Sequence, residues 1–412
     1  MGRGLLEVPI LRERSKSPSL SFKEMQTMSL QEINLEEEFD VIKTLSEGSF
    51  SKVLLVRKNR ERLVLKAIHC EVTTAEEFSR ELNYNYYLSP HPNIVTSFNV
   101  AFLWDNCFVY VQEYAPYGDL SRLVRKGGLP EAQVKSMAQQ LMSAIDFIHS
   151  FNLVHRAIIL ENILVYRKDL SLIKLCDFGN MRQMGTLQTK KPCPSRASYE
   201  PPEICSLLPQ ERYNCESSMD VWQTGIVLIT CLFGGTPWNC ADITDPCFTQ
   251  YVDWLKRKTL KMPEQFQFFT PRFDRLLKRM LEPKAHKRSK ITEISKYLND
   301  DWVQGSHAAR RISLERHESN TTSKSGHRQK YYNSKKRSTK SLLAVEAEID
   351  SEESVSERVG KWMDSAHGIA CTDVVNRRGS CVQKTSSHES INASNIRARN
   401  NEFMSKLTEV GC

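Results

Sequence analysis

The sequence has no C-x-x-C pair, although it holds twelve cysteines. The spacing that zinc sites and dithiol redox centres commonly use is therefore missing. It also lacks any run approaching the 18 or so consecutive apolar residues of a membrane-spanning helix. The opening MGRGLLEVPILRER has no apolar stretch of the length a secretory leader needs. Reduced thiols and a place in the cytoplasm or nucleus are expected, with no membrane association. Leu6 stands where N-myristoylation prefers Ser or Thr. Asn320 and Asn392 open N-x-S/T sequons, which carry no weight without a secretory route. No proline follows Pro283, so the C-terminal stretch has no P-x-x-P motif. Charge is nearly balanced: 57 Lys and Arg against 49 Asp and Glu give a net charge of +8. That excess reads as a basic tail rather than a nucleic-acid surface.

Three zones remain in the 412 residues. Residues 1–37 are polar, carry RSKSPS at 14–19, and read as a flexible arm. Residues 38–302 are densely apolar. Residues 303–412 are rich in Ser, Lys, Arg, Asn and Glu, a composition that cannot bury enough apolar surface to fold alone. Within the middle zone, FDVIKTL, KVLLV, LVLKAI and CFVYVQ are short β-prone runs between polar residues, and Ser97 to Leu103 is a fifth. Ala75 to Leu88 reads as a helix. From Pro130 the period changes: Val134, Met137, Leu141, Ile145 and Ile148 recur every three or four residues, predicting a helix to Phe151 that opens on Pro130. Val221 to Leu232, Phe248 to Leu255 and Phe273 to Leu281 are also helical in pattern. Strands first and helices after predict an α+β, two-lobed domain, with lobes at 38–115 and 116–302.

Several short motifs stand in order along this domain. LSEGSFSKV (Leu45 to Val53) is a turn of small residues between two strands, where a backbone can approach phosphates. LVLK puts Lys66 on a strand, and Glu81 on the next helix is a candidate partner. LVHRAIILENIL, KLCDFGN, YEPPE, DVWQTG and Arg288 follow. In this order and spacing the set resembles a eukaryotic protein kinase domain over Phe39 to Trp302. QLMSAIDFIHSFNLVHR, IKLCDFGNMRQMG and CFTQYVDW resemble, more narrowly, the SH3-binding-domain family of serine/threonine kinases.

That resemblance implies roles. Ser46, Gly48, Ser51 and Val53 would cover the phosphates of ATP; Lys66, held by Glu81, would bind the α- and β-phosphates; Asp177 would ligate Mg2+ and Asn162 a second ion. Glu113, Tyr114 and Ala115 match the hinge beside the base, and Asp119 the ribose position. Glu203 with Arg288, and Asp220, match structural positions that brace the substrate-side loop and the catalytic loop. Val64 is larger than the usual alanine and would crowd the adenine. Gln112 guards the back pocket, with Glu81 as one candidate partner and a partly solvated strand position as the other reading. Cys176 reads as a small buried hydrophobe.

The catalytic loop departs from the family. H-R-D-x-K-x-x-N is here His155, Arg156, Ala157, Ile158, Ile159, Leu160, Glu161, Asn162. The proton-accepting aspartate is Ala157, the phosphate-steadying lysine is Ile159, and the threonine that would bond both is Arg196. No catalytic residue of that set is intact. The loss of a general base alone removes roughly 10²–10⁴-fold in rate. A pseudokinase is expected, acting on a protein partner such as an active kinase; the alternative is an active serine/threonine kinase with an atypical loop. In the tail, RRIS and RRGS make Ser313 and Ser380 candidate phosphorylation sites, SKKRSTKS is a candidate nuclear-import patch, and Leu342 to Met363 is a candidate partner-binding helix.

Overall fold

The computed structural model describes residues 7–10, 26–48, 51–191 and 193–305. The tail motifs, Ser313 and Ser380 among them, lie outside the described residues.

The β-prone runs become one antiparallel sheet. Strands β1 (Asp40–Glu47), β2 (Ser51–Lys58), β3 (Glu61–His69), β4 (Ser97–Trp104) and β5 (Cys107–Glu113) are arranged in the order β1-β2-β3-β5-β4. Asn59 with Arg60, and Asp105 with Asn106, take left-handed backbone at the two hairpin tips. Asn and Asp tolerate that conformation, which matches the twist of the flanking strands. Central strand β5 is buried along most of its length and β3 at Leu63, Val64, Leu65 and Ala67, whereas β1 is largely exposed. Helix α1 (Ala75–Leu88) packs on the sheet. Its start is fixed by a capping box: the Glu77 N–H donates to Thr74 Oγ1 at 3.2 Å, and the Thr74 N–H donates to Glu77 Oε2 at 3.4 Å.

The second lobe is helical. Helix α2 (Glu131–Ser150) buries Val134, Met137, Leu141, Ile145 and Ile148, the stripe read from the sequence. Pro130 sits one place earlier than expected, at the N-cap. Helix α3 (Ser218–Phe233) is buried on every side from Met219 to Leu232, which explains its continuous apolar run. It ends at Gly234, at φ 91°, where a β-carbon would lie 2.3 Å from the Arg125 carbonyl oxygen. Helices α4 (Pro246–Leu255) and α5 (Pro271–Met280) complete the core. No described helix is long and apolar enough to cross a membrane.

Two expectations need correction. The first 37 residues are not wholly an arm: Gln26–Ser29 pairs antiparallel with Glu7–Ile10, and Leu30 and Leu35 are buried. The domain also runs slightly past Trp302, because Val303 bridges to Phe269 and the Gln304 N–H donates to the Phe268 carbonyl at 3.1 Å.

The lobes are stitched together at residues 91–95. The Leu175 N–H donates to the Asn93 carbonyl at 2.8 Å, and the Val95 N–H to the Leu175 carbonyl at 3.0 Å. His91 organises this turn. Its Nδ1 accepts the Asn93 N–H at 3.1 Å, so Nε2 carries the proton toward Ser143 Oγ at 3.1 Å. Burial pushes this imidazole down to about 4. A His held neutral in the fold favours the native state above its unfolded value near 6.5, and that contribution is lost as pH falls toward 4. Between pH 7 and 5 the loss is about 1 kcal/mol, after discounting for partial exposure. Melting temperature should therefore fall less over this interval in His91→Gln than in the parent. Equal slopes would show that the imidazole is not the titrating group.

Candidate functional site

Four backbone elements meet at Lys66. Strand β3 supplies Lys66, helix α1 supplies Glu81, strand β5 supplies Tyr110, and the DFG turn supplies Asp177. Lys66 Nζ donates to Glu81 Oε1 at 2.9 Å and to Asp177 Oδ1 at 2.7 Å. The Tyr110 hydroxyl donates to the same Glu81 oxygen at 2.7 Å. Glu81 is only 8% exposed, so these bonds compensate a carboxylate that burial would otherwise penalise. Burial alone would depress the Lys66 ammonium, but Asp177 and then Glu81 hold it well above its usual range. The Lys66 charge in turn holds the Asp177 carboxyl below its ordinary value against burial. A β-carbon on Gly179 of the DFG turn would approach Glu81 Oε2 to 2.8 Å, so a side chain there would displace the carboxylate that pairs with Lys66.

The resemblance anticipated Lys66, Glu81 and Asp177 as a set, whereas nothing pointed to Tyr110. An apolar-looking run with one tyrosine gives no cue that its hydroxyl turns toward Glu81. Gln112 does not bond Glu81. Its amide donates to Asn85 Oδ1 at 3.0 Å and to Ser97 Oγ at 2.8 Å, a buried polar knot tying β5 to α1 and β4. It is not a partly solvated strand residue either, being buried.

The phosphate-side hairpin brings Ser46 opposite Val53, and the Gly48 N–H donates to the Ser51 carbonyl at 2.9 Å. Residues 49 and 50 lie outside the described residues. Val64 pairs across the ladder with Gln112. At the hinge, Glu113 accepts Lys174 Nζ and the Thr96 N–H, each at 2.6 Å, so its side chain braces the lobes. Ala115 is buried. Asp119 accepts Arg122 Nε at 2.8 Å and is also bonded by the Ser121 hydroxyl.

The catalytic loop keeps its scaffold. Asp220, at 0% exposure, accepts the His155 N–H at 2.9 Å, the Arg156 N–H at 2.7 Å and a bond with His149 Nε2 at 2.8 Å. Burial alone would raise its carboxyl, but His149 and these amides bring it below the usual range. The Ile158 N–H donates to Gln223 Oε1 at 2.9 Å, and Asn162 Nδ2 donates to the Ala157 carbonyl at 3.0 Å. Arg156 and Asp177 both adopt left-handed backbone, and the Asp220 bond to the Arg156 N–H helps hold the former in place. His155 is buried, and burial depresses its imidazole. Arg288 clasps Glu203 with two parallel bonds, the Nη1 one at 2.7 Å.

What this scaffold presents is apolar. Ala157 is 1% exposed and Ile159 8%, and Ile159 and Leu160 belong to the core of the helical lobe. Arg196 Nε bonds Cys193 Sγ at 3.2 Å, and its positive charge reaches Asp177. Cys176 is half-buried against the helical core, and burial raises its thiol. Sequence reading missed a cavity of about 650 Å³ beside α1, where Arg80, Arg156, Arg182 and Arg196 gather against Glu81 and Glu200. Burial, then Arg80 and Arg156, push the Arg182 guanidinium down. These arginines are far apart in the chain, so no local motif signals them.

Comparison with known proteins agrees with this geometry. The protein kinase domain family matches residues 39–303. The serine/threonine-protein kinase meng-po of Drosophila melanogaster is 41% identical over 271 residues, covering 65% of this chain and 59% of that protein. The serine/threonine-protein kinase SBK1 of Danio rerio is 33% identical over 298 residues, covering 70% and 77%. The serine/threonine-protein kinase SBK2 of Rattus norvegicus is 30% identical over 325 residues, covering 76% and 88%. The matched stretch thus spans less than two thirds of the fly relative's length. With the family's fold, its Lys66–Glu81 pair and its DFG turn in place, this chain belongs to the protein kinase domain family.

Proposed function

We propose that the domain is a pseudokinase: a kinase-shaped regulatory module that retains a nucleotide pocket and acts on a protein partner, such as an active kinase, in the cytoplasm or nucleus. The observation that carries this reading is the catalytic loop. Its backbone is held by Asp220, Gln223 and Asn162, yet Ala157 and Ile159 offer no atom that accepts a proton or steadies a phosphoryl group. General-base catalysis requires such a group within hydrogen-bond reach of the attacking hydroxyl.

The retained side supports ATP with Mg2+. Lys66 suits phosphate oxygens, and Asp177 with Asn162 offers the one or two oxygen ligands Mg2+ takes from protein beside phosphate. A β-carbon on Gly48 would meet nothing closer than the Ser51 carbonyl at 3.9 Å. Packing among the described residues therefore does not demand glycine there, whereas close approach of a phosphate does. Phosphate would have to share Lys66 Nζ with Glu81 and Asp177, which it already bonds at 2.9 and 2.7 Å, and this competition favours weak binding. The second reading, an active serine/threonine kinase, is favoured by the intact Lys66–Glu81 pair at 2.9 Å. Ser313 and Ser380 fit a tail phosphorylated by another kinase.

The test is thermal melting with and without Mg·ATP. Ligand at about ten times Kd should add about 1.4 kcal/mol, a rise of about 3–5 °C for a domain of this size. The rise should vanish in Lys66→Ala. No rise at millimolar Mg·ATP would remove the nucleotide part of the reading.

A further inference from the structure

Residues 30–38 lie before the stretch that matches the family, yet they are built into the small lobe. Strand β4 is an edge of the sheet. Its outer side is taken by this segment: the Leu103 N–H donates to the Gln31 carbonyl at 2.9 Å, and the Ile33 N–H donates to the Leu103 carbonyl at 3.0 Å. Glu32 is the parallel bridge partner of Leu103. The segment thus acts as a short sixth strand that covers otherwise open backbone groups.

One side chain of the segment reaches much deeper. Leu30 is 1% exposed and forms a cluster with Phe78 and Leu82 of α1 and with Phe108 and Tyr110 of β5. Phe78 and Phe108 stack at 4.9 Å. Glu81, the partner of Lys66, lies between Phe78 and Leu82 on the helix, and Tyr110 bonds the same carboxylate. Leu30 is therefore one packing layer away from the Lys66–Glu81 pair. The other end of the segment is anchored too. The short helix Leu35–Glu38 is capped by Asn34, Glu38 pairs with Lys58 at 2.7 Å, and Phe39 stacks on Phe102 at 6.0 Å.

We propose that residues 30–38 are a strap that sets the position of α1, with Leu30 as the wedge that keeps Glu81 against Lys66. Leu30 is a positioning residue. It touches no nucleotide and acts through the helix, so anything that pulls the strap away from β4 would loosen the Lys66 site. The hydrogen bonds and the wedge are separable, because Ile33 supplies an N–H to the edge while Leu30 supplies bulk to the cluster. The strap's link to nucleotide rests on the reading that the pocket binds Mg·ATP. Its link to α1 does not.

The experiment is amide hydrogen exchange on the full chain, comparing the parent with Leu30→Ser and Ile33→Pro, followed by Mg·ATP melting of the same proteins. The expected result is faster exchange in residues 75–88, on the order of 10-fold or more, with residues 218–233 unchanged. A smaller Mg·ATP shift should accompany it, because the competent helix position is less populated. Unchanged exchange across 75–88 in both variants overturns the strap. So does an equal loss of protection in both lobes, which would mean that Leu30 merely contributes to overall stability. Should Leu30→Ser fail to fold, Ile33→Pro and the milder Leu30→Ala decide between these outcomes. A parent with no Mg·ATP shift refutes the nucleotide reading alone, and the exchange data still judge the strap.

Discussion

The triple substitution Ala157→Asp, Ile159→Lys, Arg196→Thr is expected to raise phosphate transfer to a serine peptide by roughly 10²–10⁴-fold over the parent. The reason is geometric. The loop carrying position 157 already has the hydrogen bonds that fix its path: the Asp220 carboxylate on the His155 and Arg156 amides, and the Asn162 amide on the Ala157 carbonyl. Nothing in the backbone needs rebuilding, and Asp177 and Lys66 stand ready for metal and phosphate. The gain should be cooperative. A carboxylate restored alone at position 157 enters a nearly closed setting beside Ile159, where burial works against its charged form. A lysine at 159 supplies the countercharge, and a threonine at 196 supplies the hydroxyl that would bond both restored side chains, in place of a guanidinium that now bonds Cys193 Sγ. Each single reversion is therefore expected to recover much less than the set. The set should also melt lower than the parent, since Ile159 belongs to the helical core. The pseudokinase reading would be abandoned if the parent chain itself turned over and Asp177→Ala abolished that turnover.

Much of this was legible in the sequence, for a physical reason. Positions buried by secondary structure carry a period, and α2 shows it without ambiguity: Val134, Met137, Leu141, Ile145 and Ile148 predicted the buried face of Glu131–Ser150. Helix α1 was placed with its observed ends, Ala75–Leu88, and the structure adds the Thr74–Glu77 capping box that fixes its start. The Lys66–Glu81 and Glu203–Arg288 pairs were legible through the order of the motifs, since no local period predicts contacts 15 or 85 residues apart. What stayed hidden depends on where a single side chain turns. Gln112 turned to Asn85 and Ser97 rather than to Glu81, and Tyr110 took the Glu81 contact instead. The strap was hidden for a related reason. Leu30 and Leu35 are scattered among polar residues and the apolar Met28 and Ile33, and such residues look the same whether they wedge into a lobe or face water.

Asp220→Ala should be the most damaging single change to stability, at about 3–5 kcal/mol, read as a melting temperature lower by roughly 10 °C or as failure to fold. The carboxylate is fully buried and serves three donors from two places in the chain: His149 on α2, and the amides of His155 and Arg156 in the loop. Truncation leaves two buried backbone N–H groups without an acceptor, each costing about 1–3 kcal/mol. It also releases the left-handed backbone at Arg156, whose conformation these bonds stabilise. Asp220→Asn should cost less, because one amide oxygen still accepts while the NH2 faces a donor. The carboxyl is held below its ordinary value in the fold, so its contribution is complete above the unfolded value near 4 and is lost as pH falls through the folded one. The difference between parent and Asp220→Ala should accordingly be full at pH 7 and shrink in strong acid. Set beside the triple substitution, this separates two properties of one loop. If Asp220→Ala unfolds the domain while the catalytic positions tolerate exchange, the loop's support is kept for the fold, and its lost chemistry is confined to Ala157, Ile159 and Arg196. If Asp220→Ala is instead mild, the loop backbone does not depend on that carboxylate. The gain expected from restoring its side chains would then lose its geometric basis.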